Sequence, residues 1–289
     1  TNKRYFYEKL SVVSRAISVF SPLPAFSGVK IDVSATQIVL TGSDSDISIR
    51  STILPDEDNQ LTINDIGSIV IEAKYILEIV RKIEGDVIEI EILDDTLTRI
   101  SGTNAQFKIN GMKSTDYPAI DFSQPRESFQ ISSEVLKEII TQTCFATSDR
   151  ETRPVLTGVN FSCQDHQLQC VATDSYRLAK KLVPIDATVS FNITIPSKSL
   201  QEVLKSIGEE ENVTLYVDHK KAQFLIDHTI IQTRLIDGAY PETSRLIPAD
   251  FSYELRIDSR ELLNAIDRAS FIKIDGVYNI KSSLDGSEC

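Results

Sequence analysis

His166 is one of only three histidines, and it lies between two thiols in Cys163-Gln164-Asp165-His166-Gln167-Leu168-Gln169-Cys170. Thiol, imidazole and thiol in so short a span is the chemistry of a soft metal. A structural zinc site takes four ligands, however, and this stretch offers three. The same residues read as a polar turn, Gln164-Asp165-His166, between two strands. Asp44 and Asp46 in Gly42-Ser43-Asp44-Ser45-Asp46, and the run Asp56-Glu57-Asp58, carry oxygens suited to a hard cation. The first is interleaved with serine and runs into a strand. The second follows Pro55 in a polar loop. Both read as solvated turns, and a metal-dependent hydrolase built on them lacks a ligand set. The chain has no Gly-x4-Gly-Lys-Ser/Thr loop, no Gly-x-Gly-x-x-Gly, no His-Glu-x-x-His and no Gly-x-Ser-x-Gly. The sequence therefore assigns no catalytic residue, no metal and no cofactor.

The elements that would position a site form a repeat, and the length permits it. The chain has 289 residues, 41% of them hydrophobic and 25% charged, which suits two or three globular domains. No apolar run approaches the ~18–20 residues of a membrane span. Thr1-Asn2-Lys3-Arg4-Tyr5 lacks the apolar core of a signal peptide. The four cysteines (Cys144, Cys163, Cys170, Cys289) show no framework spacing, so the expected compartment is a reducing cytoplasm. The net charge of −12, if evenly spread, would disfavour nucleic acid.

Three segments read as equivalent amphipathic helices, Glu8–Ala16, Glu134–Ile140 and Glu261–Ala269. Leu10, Leu136 and Leu263 stand at matching positions, and Ser133 and Ser259 are suited to capping the last two. Strands Ser128–Ile131 and Glu254–Ile257 precede them. A second pair of helices, Ala73–Ile83 and Ser197–Ile207, repeats about 124 residues apart, each leading into a strand. Pro24-Ala25-Phe26-Ser27-Gly28-Val29 parallels Pro154-Val155-Leu156-Thr157-Gly158-Val159. Gly111 with Tyr117-Pro118 parallels Gly238 with Tyr240-Pro241. The unit is about 125 residues, giving domains at 1–122 and 123–248 and part of a third at 249–289. The expected fold is α+β, each unit with two helices packed on antiparallel sheets. Repeats of this kind make extended surfaces, which favours a binding or scaffold role over catalysis.

Certain segments are distinctive: Ala146-Thr147-Ser148-Asp149-Arg150-Glu151-Thr152-Arg153-Pro154-Val155-Leu156-Thr157-Gly158-Val159, Val171-Ala172-Thr173-Asp174-Ser175-Tyr176-Arg177-Leu178-Ala179, Asp237-Gly238-Ala239-Tyr240-Pro241-Glu242-Thr243-Ser244-Arg245-Leu246-Ile247-Pro248, and Leu40-Thr41-Gly42-Ser43-Asp44. Over about residues 1–272 the chain resembles the bacterial DNA sliding clamp, the β subunit of DNA polymerase III. The resemblance implies repeated clamp-type domains forming a head-to-tail homodimeric ring around double-stranded DNA, with no catalysis of its own. It also implies partners: the polymerase III catalytic subunit, a clamp loader, and repair polymerases and other proteins with clamp-binding peptide motifs. A repeat-built protein-binding scaffold that never encloses DNA is the alternative.

Carried over residue by residue, the resemblance places Lys74, Lys198 and Arg150 at DNA-contact positions, with Arg153 nearby. Arg81, Lys82 and Lys205 are further candidates by charge. It places Leu156, Thr173, Ser175, Tyr176, Arg177, Leu178, Pro241, Arg245 and Leu246 in a peptide pocket, where apolar side chains make a dry cleft and the arginines orient polar groups. Two departures weaken family contacts: Phe20 where a basic residue is usual, and Pro154-Val155 where aromatics can stand. Most of a third unit, with its pocket and dimer-closing residues, has no counterpart after about Ile272. The charge divides unevenly. The five helical segments, 8–19, 73–83, 133–143, 197–207 and 259–271, carry +3 and the remainder −15. A ring lined by those helices would be mildly basic inside and acidic outside, suited to holding phosphates without reading sequence.

Overall fold

In the computed structural model the described residues are 1–18, 21, 23–208, 211–248, 250–252 and 254–271. Phe20 and residues 273–289, including Cys289, lie outside them. The chain divides into two compact units, Thr1–Tyr240 and Pro241–Cys289.

The first unit holds two copies of one module. Module one runs α1 (Lys3–Ser14), β1 (Gly28–Val33), β2 (Ile38–Ser43), β3 (Ile47–Ile53), β4 (Gly67–Glu72), α2 (Ala73–Lys82), β5 (Glu89–Asp94), β6 (Leu97–Ser101), β7 (Gln106–Asn110) and β8 (Met112–Lys113). Module two runs β9 (Glu127–Ser132), α3 (Ser133–Thr143), β10 (Gly158–Gln164), β11 (Gln167–Thr173), β12 (Leu178–Pro184), β13 (Phe191–Pro196), α4 (Ser197–Ser206), β14 (Asn212–Val217), β15 (Lys221–Ile226) and β16 (Thr229–Arg234). All strand pairings are antiparallel. The helices bury one stripe each. Phe6, Leu10 and Val13 of α1 and Leu136, Ile139 and Ile140 of α3 enter one apolar cluster with Leu40, Ile49, Phe161 and Phe224 from the sheets.

The caps correct the helix alignment. Asn2 Oδ1 accepts from Tyr5 N, Ser132 Oγ from Val135 N, and Asp258 Oδ1 from Arg260 N and Glu261 N. These residues, not Ser133 and Ser259, satisfy the free amides of the first turns. The first helix therefore begins at Lys3 rather than Glu8. Counted from the caps, Phe6, Leu136 and Leu262 are equivalent, as are Leu10, Ile140 and Ile266. Leu10 thus stands one turn beyond Leu136. In the second unit α5 (Ser259–Ala269) is the third copy of this helix, and none of its residues is buried. Residues 254–257 form no strand, because a strand needs a partner edge and none of the described residues pairs with them.

The modules join edge to edge. β3 pairs with β16, with Ile49 opposite Ile231 and the hydroxyls of Ser51 and Thr229 3.0 Å apart. This makes a nine-stranded sheet ordered β8-β4-β1-β2-β3-β16-β15-β14-β9. The linker clasps the junction. Gln223 Nε2 donates to the carbonyls of Phe122 and Ser123 (3.2 and 3.1 Å), and the Arg50 guanidinium lies 3.9 Å from the centre of the Phe122 ring. The repeat equivalents of the joined strands, β12 for β3 and β7 for β16, are open edges among the described residues.

Candidate functional site

The acidic and thiol clusters serve the fold. Asp44 Oδ1 accepts the amides of Asp46 and Ile47 (3.0 and 2.9 Å), closing a turn. Asp56 Oδ1 accepts from the Asn59 amide at 2.7 Å, within a loop built around that buried asparagine. Asp165 and His166 take the left-handed turn between β10 and β11 (φ +51° and +61°). Cys144, Cys163 and Cys170 are buried free thiols, and burial raises the pKa of each. Among the described residues no group of three or more His, Cys, Asp or Glu could hold a metal ion. No helix among them is long and apolar enough to cross a membrane.

The net positive charge falls on the helices. With their observed bounds the five helices carry a net +4. α2 buries Ala73, Ile76 and Val80, and α4 buries Ser199, Leu200 and Val203. Lys74 and Lys198 are therefore exposed residues at the second position of each helix. A positive charge in the first turn opposes the helix dipole, at a cost of about 0.3–1 kcal/mol. Neither lysine makes an ion pair among the described residues; Lys74 Nζ lies 5.4 Å from the Tyr75 ring centre. Arg81 and Lys82, by contrast, pair with Glu78, and Lys205 with Glu202. Arg150 is exposed in the turn after α3, its amide donating to Ser148 Oγ. Arg153 reaches a different neighbourhood, its Nη1 lying 3.4 Å from Ser175 Oγ.

That neighbourhood holds Thr173, Ser175, Tyr176, Arg177 and Leu178, which the resemblance assigns to a peptide pocket. Thr173 ends β11, its hydroxyl donating to the Arg177 carbonyl (2.6 Å) and accepting from the Ser175 amide (3.1 Å). Asp174 Oδ1 accepts the amides of Tyr176 and Arg177 (2.9 and 3.0 Å), and its Oδ2 accepts from Arg177 Nε (3.0 Å). The Tyr176 amide first, then Arg177, hold the Asp174 carboxyl below its ordinary pKa. Ser175 sits at φ +78°. Module one builds the same turn 130 residues earlier. Ser43 Oγ contacts the Ile47 carbonyl and the Ser45 amide, Asp44 accepts two amides, and Ser45 has φ +86°. The two turns differ at their far ends. Module one buries Ile47, where module two presents Arg177 and a Tyr176 that is 91% exposed. Leu156 is buried, at 3% exposure, and Leu178 is half-buried.

Three residues not assigned from sequence support this turn. Asp174 shapes it, and Phe145 lies under the Arg177 guanidinium at 5.6 Å. The Tyr240 hydroxyl accepts the Thr173 amide at 3.0 Å. The recurrence of Ser/Thr-Asp-Ser at Ser43 and Thr173 was the available signal for Asp174. Gly238, at φ +115°, turns the chain toward Tyr240, and a Cβ there would stand 3.0 Å from Val155 Cγ1. Tyr240→Phe leaves the buried Thr173 amide without a partner and should cost about 1–3 kcal/mol. An unchanged urea midpoint would contradict this. Pro241, Arg245 and Leu246 belong to the second unit, where all three are exposed, Leu246 by 62%.

Known proteins share this sequence pattern and fold. The family model for the DNA polymerase III β subunit, N-terminal domain, matches residues 1–121, and that for its central domain matches 130–242. The β sliding clamp of Bacillus subtilis (strain 168) is 38% identical over 278 residues, 94% of this chain and 74% of that protein. That of Staphylococcus aureus (strain Mu50 / ATCC 700699) is 36% identical over 288 residues, 98% of this chain and 76% of that one. The crystal structure of the B. subtilis DNA polymerase sliding clamp superposes with a TM-score of 0.92, covering 96% of this chain and 74% of that chain. A sliding clamp from Bartonella birtlesii bound to griselimycin is 26% identical, with a TM-score of 0.85 over 96% of this chain and 75% of that one. Sequence, module and fold agree, and the chain belongs to the bacterial DNA sliding clamp family, the β subunit of DNA polymerase III.

Proposed function

We propose that this chain works as a DNA polymerase processivity factor that encircles duplex DNA and tethers replicative and repair proteins through a peptide-binding site. The observation that carries the DNA contact is the placement of Lys74 and Lys198. Two equivalent lysines stand without an ion-pair partner among the described residues in helix first turns, where helix stability disfavours them. Phosphates supply the missing negative charge, and contacts to phosphate alone leave the clamp free to slide. Arg150 adds a third contact, and Arg153, beside Ser175, a weaker one. The β3–β16 junction supports ring formation. Repeated at the open β12 and β7 edges, the same head-to-tail pairing joins further modules into a closed homodimer. Residues 1–122 and 123–248 are the two whole repeats, and α5 opens a third from 249.

In the first unit the peptide site consists of Leu156, Thr173, Ser175, Tyr176, Arg177 and Leu178, and in the second unit Pro241, Arg245 and Leu246 are separate candidates for peptide contact. An exposed aromatic ring, a half-buried leucine and a guanidinium held by Asp174 suit a short motif with aliphatic or aromatic anchors. The partners are the polymerase III catalytic subunit, the clamp loader and repair polymerases, all met in the cytoplasm. The chain itself catalyses nothing. With its polymerase and clamp loader on a primed circular template, the chain should lengthen the product made per binding event. Product length independent of the chain would contradict the assignment.

A further inference from the structure

The positive charge on the two candidate DNA-facing helices is only partly free. On α2, Lys74, Glu78, Arg81 and Lys82 stand at i, i+4, i+7 and i+8, one stripe away from the buried Ile76 and Val80. Glu78 Oε1 accepts from Arg81 Nε (3.2 Å), and Oε2 meets Arg81 Nη2 and Lys82 Nζ, each at 2.9 Å. Lys74 is also four residues from Glu78 but makes no pair with it. Lysine before glutamate is the weaker order along a helix, and glutamate before lysine the stronger. α4 repeats the pattern 124 residues later: Lys198 is unpaired among the described residues, and Glu202 Oε1 meets Lys205 Nζ at 2.8 Å.

We propose that Glu78 and Glu202 limit how many cations these helices offer to duplex DNA, leaving Lys74 and Lys198 to hold phosphate while Arg81, Lys82 and Lys205 stay engaged. This rests on the DNA-facing reading above. A guanidinium or ammonium bound to a carboxylate must exchange that partner for a phosphate, so it adds less to DNA affinity than a free one. Affinity and its salt dependence rise with each phosphate neutralised, and a clamp that slides needs few such contacts. Hydrogen bonds from Arg81, then Lys82, pull the Glu78 carboxyl down to about 2, so the screen persists across neutral and mildly acidic pH. Because the folded-state pKa is depressed, the pairing is present above the ordinary carboxylate range and is lost only as pH falls through about 2.

Glu78→Gln keeps the side chain's shape, and the ion pairs it removes are exposed and contribute little to stability, so the fold should be retained. Binding of the chain to duplex DNA, read by fluorescence anisotropy across a KCl series, should become tighter. Its log–log slope should steepen by ~0.9 for each released cation that reaches a phosphate. Arg81→Gln with Lys82→Gln should alter the slope little in the parent chain and should reverse the gain in the Glu78→Gln background. Lys74→Ala is the reference and should lower the slope. A slope unmoved by Glu78→Gln, with Lys74→Ala lowering it, would overturn the proposal and leave the DNA reading standing. A slope unmoved by both would remove the DNA reading and the proposal with it.

Discussion

Replacing Lys74 and Lys198 together by alanine lowers the log–log salt slope of duplex binding by about 1.8, ~0.9 for each lost phosphate contact. The same change should leave the protein as stable as before, or more stable. Each lysine is exposed, without an ion pair among the described residues, and set against the positive end of its helix dipole. Relief of that opposition is worth about 0.3–1 kcal/mol per helix. Weaker DNA binding with an unchanged or raised melting temperature marks residues kept for function at the expense of stability. A drop in stability would assign the lysines to the fold. An unchanged salt slope would show that neither meets a phosphate.

The second large effect concerns partner capture. Leu178→Ala with Leu246→Ala should weaken binding of a peptide carrying aliphatic or aromatic anchors by at least tenfold. Leu178 is half-buried and Leu246 is 62% exposed in the free chain. Apolar surface still open to water is what a partner can cover, at about 1.5–3 kcal/mol for each leucine fully buried. Leu156, at 3% exposure, has little surface left to give, and truncating it would mix core damage with lost binding. Calorimetric titration measures the affinity, and the urea midpoint, which should barely move, excludes unfolding. Undiminished affinity would remove both leucines from the peptide site.

The sequence made the module legible because helical and alternating patterns recur at fixed distance. The Lys74–Lys198 match placed both lysines on the same face of equivalent helices from spacing alone. Read from Glu8, the first helix starts five residues late, because the side chain that caps it is Asn2. The strand expected at 254–257 does not form, for another reason. Alternation reports a side-chain pattern but not the presence of an edge to pair with. The residues of the Thr173–Arg177 turn are legible through the resemblance, while its architecture is not. Asp174 accepting two amides and Tyr240 accepting the Thr173 amide from 67 residues away are long-range or backbone facts that residue types do not announce. Ion pairing was equally invisible. Arg81, Lys82 and Lys205 looked like Lys74 by charge, and only geometry separates the engaged cations from the free ones.

Topological retention on DNA tests the central claim most directly. Loaded onto a nicked circular plasmid and passed over a sizing column at moderate salt, the chain should travel with the circle. Cutting the circle once should release it, because a ring slides off a free end while a groove binder does not. Retention that is the same on circular and linear DNA, or absent from both, would contradict an encircling clamp.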